Sequence, residues 1–265
     1  MTDTPKAGGV LSADIAFPDA ESARRFYAKV LVSGEKPLWR EDLMNAHGVP
    51  VIGLGALSPE YADLPLQWMP HIQVADVGRS VAAAIESGGS ELLHSKSDDG
   101  TSQWAVLLDP NGAAFGLIPV VSGQGIEFAG QPSDAGHIAW LDLTVPDADA
   151  AVDFYKNVTG WTVEAIEMQD AGGRYADYFL VGGDGNPTAG ICHARGVNID
   201  LPPVWLIYLP VGDLTESLNR VEEEGGAIIH STSGEDGGHT YAVIRDPAGA
   251  YLALMPAPAR GGRCS

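Results

Sequence analysis

Apolar and polar residues alternate over short runs at four places along the chain. After each run come an Asp and then apolar residues spaced three or four apart. Alternation puts every second side chain on one face of a strand, and the longer spacing builds one face of a helix. In the first run Leu11, Ala13, Ile15 and Phe17 share a face, and Ser12, Asp14 and Ala16 share the other. The second sets Trp68, Pro70, Ile72 and Val74 against Met69, His71 and Gln73. The third sets Ala139, Leu141, Leu143 and Val145 against Trp140, Asp142 and Thr144, and the fourth sets Trp205, Ile207, Leu209 and Val211 against Leu206, Tyr208 and Pro210. Asp19, Asp76, Asp147 and Asp213 are placed to cap the first turn of the following helix with a carboxylate, and a Gly-containing stop ends each helix. Further β-type segments with turn signals follow each stop. The predicted unit is β-α-β-β-β, four times over, in an α+β fold.

The units pair into two tandem copies. Phe26-Tyr27 recurs as Phe154-Tyr155, Asp14 as Asp142, Trp68 as Trp205, Gly88-Gly89 as Gly225-Gly226, and Asp109-Pro110 with Gly112 as Asp246-Pro247 with Gly249. The second copy carries a few extra residues, expected in the hairpins around Gly172 to Pro187. The expected organisation is a first domain over 8–119, a linker over 120–136 rich in Gly, Ser and Pro, a second domain over 137–257 and a tail over 258–265. In every first strand one face suits helix packing. The opposite face carries Asp14, His71, Asp142 and Tyr208, which suits a concave and partly polar cavity.

Composition narrows the function. The 265 residues are 45% hydrophobic and 19% charged, as in ordinary globular proteins. Lys and Arg number 15 against 35 Asp and Glu, a formal charge of −20 that repels phosphate backbones and anionic membranes. No apolar run approaches the roughly 20 residues that cross a bilayer, and MTDTPKAGG lacks a signal-peptide core. The expected setting is cytoplasmic, without nucleic acid or membrane partners, as a monomer or homodimer. Two cysteines, Cys192 and Cys264, supply neither a disulfide framework nor a Cys-based zinc site. The Gly-rich pieces GGDGN and GEDGG lack the strand-then-helix setting of a phosphate cradle and read as hairpin turns.

The Phe-Tyr helices, the DPNGA and DPAGA turns and the WLDL and WLIY strands resemble the vicinal oxygen chelate superfamily, which includes glyoxalases, bleomycin-resistance proteins and extradiol dioxygenases. The resemblance spans almost the whole chain. Within the superfamily it is to actinobacterial tandem proteins often labelled hydroxylase or 27 kDa antigen. It implies two glyoxalase-like half-open barrels, each made from two modules whose first strands lie side by side. It also implies metal-ligand positions at Ser12, Met69, Trp140 and Leu206 on the first strands and at Gly116 and Ala253 after the Asp-Pro turns. The remaining positions fall near Ile52 to Leu54 and near Gly190 to Cys192. These residues give no usual ligand set, so no metal and no cofactor is expected.

The candidate catalytic pair is Asp14 with His71, a carboxylate orienting an imidazole base at the first cavity. Candidate ligand contacts are Trp140, Asp142, Tyr208, Gln73, Met69 and Leu206. Trp68 and Trp205 lie on the helix-facing side and read as structural, whereas Trp104 and Tyr241 are open to either side. His94 and His230 occupy equivalent places, which suggests a packing role. The expectation is a metal-independent protein holding a small apolar or aromatic metabolite, with acid/base catalysis of isomerase, lyase or cyclase type in specialised metabolism or detoxification. Two alternatives stand beside it: a non-catalytic resistance protein that sequesters a toxic molecule, and a metal-dependent lyase or dioxygenase using residues outside the family positions, such as His47 or His193 with nearby Asp residues.

Overall fold

The computed structural model describes residues 7–32, 39–40, 43–46, 49–121, 136–234 and 238–257, with the backbone alone described over 39–40, 43–46 and 49–50 and at Leu11. The first module runs β1 (Val10–Phe17), α1 (Ala20–Val30), β2 (Trp39–Arg40), β3 (Leu43–Ala46) and β4 (Val49–Ala56). The second runs β5 (Met69–Val74), α2 (Val77–Glu86), β6 (Ser90–Lys96), β7 (Ser102–Leu108) and β8 (Ala114–Pro119). The third holds β9 (Trp140–Val145), α3 (Ala148–Thr159), β10 (Thr162–Asp170), β11 (Gly173–Val181) and β12 (Pro187–His193). The fourth holds β13 (Trp205–Val211), α4 (Leu214–Glu223), β14 (Ala227–Ser233), β15 (His239–Arg245) and β16 (Tyr251–Pro256). The extra length of the second copy goes into the β10–β11 hairpin, two strands of nine residues each.

Each half forms one eight-stranded sheet. The orders correspond strand for strand, β2-β3-β4-β1-β5-β8-β7-β6 and β10-β11-β12-β9-β13-β16-β15-β14. The two modules of a half meet where their first strands pair antiparallel, β1 with β5 and β9 with β13.

All four helices start where the sequence places them. The carboxylates of Asp19, Asp76, Asp147 and Asp213 accept from the backbone N–H of Ser22, Arg79, Ala150 and Glu216 at 2.9–3.0 Å. Helix α1 is capped by Leu31, whose N–H donates to the Tyr27 carbonyl and whose fully buried side chain continues the core; the Gly34 of its expected stop lies outside the described residues.

The helix-facing residues of both sheets merge into one core, in which Trp68 and Trp205 are buried as expected. Helix α1 packs on α4, and α2 on α3, so helices of each half lie against those of the other. The repeated motifs make this joint. Tyr27 donates to Asp246 at 2.7 Å, and Tyr155 donates to Asp109 at 3.2 Å while accepting from Trp205 Nε1 at 2.9 Å. The same Asp residues hold their own turns, Asp109 accepting from Asn111 and Ala113, and Asp246 from Gly249 and Ala250. Burial raises the pKa of all four groups, and in the tyrosines the neighbouring carboxylate adds to the rise. Gly89 and Gly226 are hemmed in twice: a Cβ there would stand 2.8 Å from the Leu108 carbonyl and 3.0 Å from the Arg245 carbonyl of the same half, and 3.2 Å and 3.1 Å from the Phe154 and Phe26 rings of the opposite half. At the end of α4, Glu224 pairs with Lys29 of α1 at 2.6 Å, adding an ion pair to the joint.

Candidate active site

The faces turned away from the helices are concave, and they carry the residues that the alternation assigns there. In the first half Ser12 pairs with His71 and Asp14 with Met69 across β1 and β5, while His71 stands beside Gly116 on β8 and Asp14 beside Gly53 on β4. In the second half the same lattice pairs Trp140 with Tyr208 and Asp142 with Leu206, with Ala253 and Gly190 alongside. Ser12 thus corresponds to Trp140, and His71 to Tyr208.

Those two exchanges separate the halves. The first face encloses a cavity of about 740 Å³ lined by Asp14, His71, Met69, Leu93, Trp104 and Tyr61 among others. On the second face Tyr208 and Tyr241 stand with centroids 5.6 Å apart, Trp140 meets Phe179 edge-on at 5.6 Å, and Leu206 is buried with Tyr208, Val243 and Ala253. Trp140 thus puts an indole where the first half has the small Ser12, and the second face is lined by rings at several neighbouring positions.

Asp14 and His71 come together as expected, but by a different geometry. His71 Nε2 lies 3.5 Å from Asp14 Oδ2, too long for a strong hydrogen bond, whereas Ser12 Oγ lies 2.9 Å from Nδ1. Ser12 rather than Asp14 orients the ring, because antiparallel register sets Ser12 directly opposite His71 and Asp14 on the diagonal. Gly116 completes the seat, since a Cβ there would be 2.6 Å from His71 Cδ2. Burial lowers the His71 pKa, with the Asp14 charge opposing, so the ring stays neutral near neutrality.

Met69 lines the cavity. Gln73 is buried, and its amide oxygen accepts from Val121 N at 2.9 Å, where it ties down the chain after β8. Trp104, which the sequence leaves open to either side, is on the concave face and 39% exposed; Tyr241 is on the corresponding face of the second half. Gly53, Gly55 and Tyr61 also line the cavity and carry no signal in the sequence pattern. His94 is hydrogen-bonded to Glu91 and Ser102, whereas His230 packs near the Tyr241 ring.

In the second half Asp142 accepts from Trp140 Nε1 at 2.8 Å and bonds the Tyr208 hydroxyl. Gly190 admits its carboxylate, which would stand 2.3 Å from a Cβ there. Burial pushes the Asp142 pKa up to about 6, above its ordinary 3.8. A raised carboxyl pKa means that the folded state holds its proton longer than the unfolded state. Its contribution is therefore full below the unfolded value and is lost as pH rises through about 6. Asp142→Asn is expected to remove that fall and to stabilise the protein at neutral pH by up to about 3 kcal/mol, read from urea unfolding at pH 5 and pH 7. An unchanged pH slope in the variant would contradict this assignment.

The polar side chains on the first cavity wall are the His71 imidazole, the Asp14 carboxylate, the Tyr61 hydroxyl and the Gln103 amide, with Gly116 where a further ligand is expected, and the second face offers Asp142 and the Cys192 thiol among aromatic rings. Neither set suits a divalent cation of the kind the resemblance implies, which takes several His and carboxylate ligands. Among the described residues the cluster of three such groups is Asp147, Asp149 and His193, at the strand ends beside α3. There Asp147 already caps the helix and Asp149 accepts from the Tyr178 hydroxyl. His47 lies outside the described residues.

Comparison with known proteins places this architecture. Residues 135–254 match the family model of the Glyoxalase/Bleomycin resistance protein/Dioxygenase superfamily. The second half of the chain belongs to this superfamily. The first half repeats its strand order and its concave-face lattice. The chain is 26% identical over 255 residues to a Mycobacterium tuberculosis protein named "Putative glyoxylase CFP32", covering 92% of this chain and 94% of that one. It is 32% identical over 131 residues to the anthracycline biosynthesis protein DnrV of Streptomyces peucetius, covering 45% of this chain and 46% of the relative. A solved catechol 2,3-dioxygenase shares the fold at a TM-score of 0.53 and 13% identity, covering 97% of this chain and 96% of that one. A mutant 4-hydroxymandelate synthase from Streptomyces coelicolor does so at 0.52 and 12%, covering 97% and 94%. No helix among the described residues is long and apolar enough to cross a membrane.

Proposed function

We propose that the first half binds a small, largely apolar molecule in its concave cavity and exchanges a proton with it through His71, without a metal ion. The carrying observation is the open cavity of about 740 Å³ with the Ser12-anchored imidazole on its wall. In the tautomer with Nδ1–H donated to Ser12 Oγ, the Nε2 lone pair is free to take a proton from an activated carbon of the ligand. A neutral buried imidazole is a competent base near neutral pH. The proton returns to a neighbouring atom of the ligand in an isomerisation, or accompanies departure of a leaving group in an elimination. The relative named for anthracycline biosynthesis supports a role in specialised metabolism and a polycyclic aromatic ligand. The second half supports the first through the shared core. Domain boundaries at 8–119 and 137–257 follow from the same reading.

The experiment is a titration of tryptophan fluorescence with polycyclic aromatic ketones and phenols. Saturable quenching is expected, unchanged by EDTA and accompanied by conversion of the ligand. Quenching that EDTA abolishes would overturn metal independence, and a ligand recovered unaltered would favour the sequestering alternative.

A further inference from the structure

We infer that the first cavity selects a flat, apolar molecule carrying a protonated amine, with Asp14 as the cation's partner. The inference rests on the proposed ligand site and adds the chemical class of what fills it. Asp14 is the formal charge on the cavity wall, with its side chain 54% exposed, and no Lys or Arg side chain lines the cavity among the described residues. The nearest polar partner, His71, is too distant for a strong hydrogen bond and is neutral.

A ligand that fills an apolar cavity expels the water now solvating that carboxylate. Burying a carboxylate without a partner is costly, so the ligand must itself bring a donor, and a positive charge offsets the loss far better than a neutral one. An anionic ligand faces the reverse, with like charges brought together in a poorly solvated space. The whole chain, at −20, attracts cations toward the entrance as well.

The walls give the shape. On the β4 side, Gly53 and Gly55 present bare backbone to the cavity. A Cβ built at Gly55 meets nothing nearer than the Ile15 carbonyl at 3.9 Å, so the space above it is open rather than filled by a neighbour. From β7, Trp104 offers a large and partly exposed indole, and Tyr61 adds a second ring. A bare strand on one side and an indole on the other accommodate a planar ring system, which gains from aromatic contact as well as from area. The division of labour follows: Asp14 holds the ammonium while His71 works on the adjacent carbon.

Three probes of one shape separate the possibilities: anthracenylmethylamine, anthracenylmethanol and anthracenecarboxylate, titrated calorimetrically into the full chain near neutral pH. The amine is expected to bind at least about tenfold more tightly than the carboxylate, with the alcohol between them. In Asp14→Asn the preference should shrink to within about threefold. Gly55→Leu, which projects a side chain into the open space, should weaken all three by at least about tenfold. Should that variant fail to fold, Trp104→Ala provides the same reading on the opposite wall. Carboxylate binding as tight as amine binding, still lost on blocking the cavity, would overturn the amine selectivity and leave the ligand site standing. Binding of none of the probes, or binding indifferent to both cavity variants, would overturn the site and the selectivity together.

Discussion

Replacing Tyr155 with Ala is expected to lower the unfolding free energy by about 4 kcal/mol, the loss typical of deleting a fully buried aromatic ring. Tyr155 is inaccessible to solvent and packs edge-on against Phe115, Phe154 and Trp205, and its hydroxyl joins Asp109 to the Trp205 indole. Removing the ring leaves a cavity and also strips a buried carboxylate and a buried N–H of a partner, which adds to the loss. Tyr155→Phe keeps the ring and should cost about 1–3 kcal/mol, the share of the hydroxyl alone. Urea unfolding followed by tryptophan fluorescence measures both. Because the ring bridges the halves through one shared core, the wild-type transition should be single, and coincident by fluorescence and circular dichroism. Two separated transitions, or a loss in Tyr155→Ala below about 1 kcal/mol, would show that the joint does not couple the halves.

His71→Ala is expected to reduce turnover of the bound ligand by about 100- to 10,000-fold, the usual contribution of a positioned base, while affinity stays within about threefold. The profile with pH adds a second reading. Since burial lowers the His71 pKa, the base remains unprotonated through neutrality, and turnover should fall only on the acid side, as the ring gains its proton. Ser12→Ala keeps the imidazole but frees Nδ1, so it should lower turnover with little change in binding. Equal turnover in wild type and His71→Ala would remove the base from the mechanism. Loss of binding in step with turnover would give His71 a structural role instead.

The division between near and distant interactions explains which parts of this protein can be read without coordinates. Strand alternation, the four Asp caps and the tandem repeat depend on neighbours within a few residues or on direct repetition, and all appear as written; Trp68 and Trp205 go to the helix side because the strand period fixes it. The same period carried Asp14 and His71 to one face. It did not decide which residue holds the imidazole, because that depends on the register between β1 and β5, whose residues are 59 positions apart at the Ser12–His71 bond.

Other features were settled only by packing. Irregular pairing between β6 and β7 breaks the simple count of faces around Trp104, so its place on the cavity wall is visible only in three dimensions. The conspicuous Phe-Tyr and Asp-Pro motifs carry no mark of their role in the joint, since Tyr27 meets an Asp 219 residues away. Period, capping and duplication determined the modules, their concave faces and the residues available there. The tertiary structure decided what each face presents: Ser12 and His71 meet beside a cavity and Trp140 and Tyr208 beside further rings, and side-chain volume shapes such a face only once distant strands have closed around it.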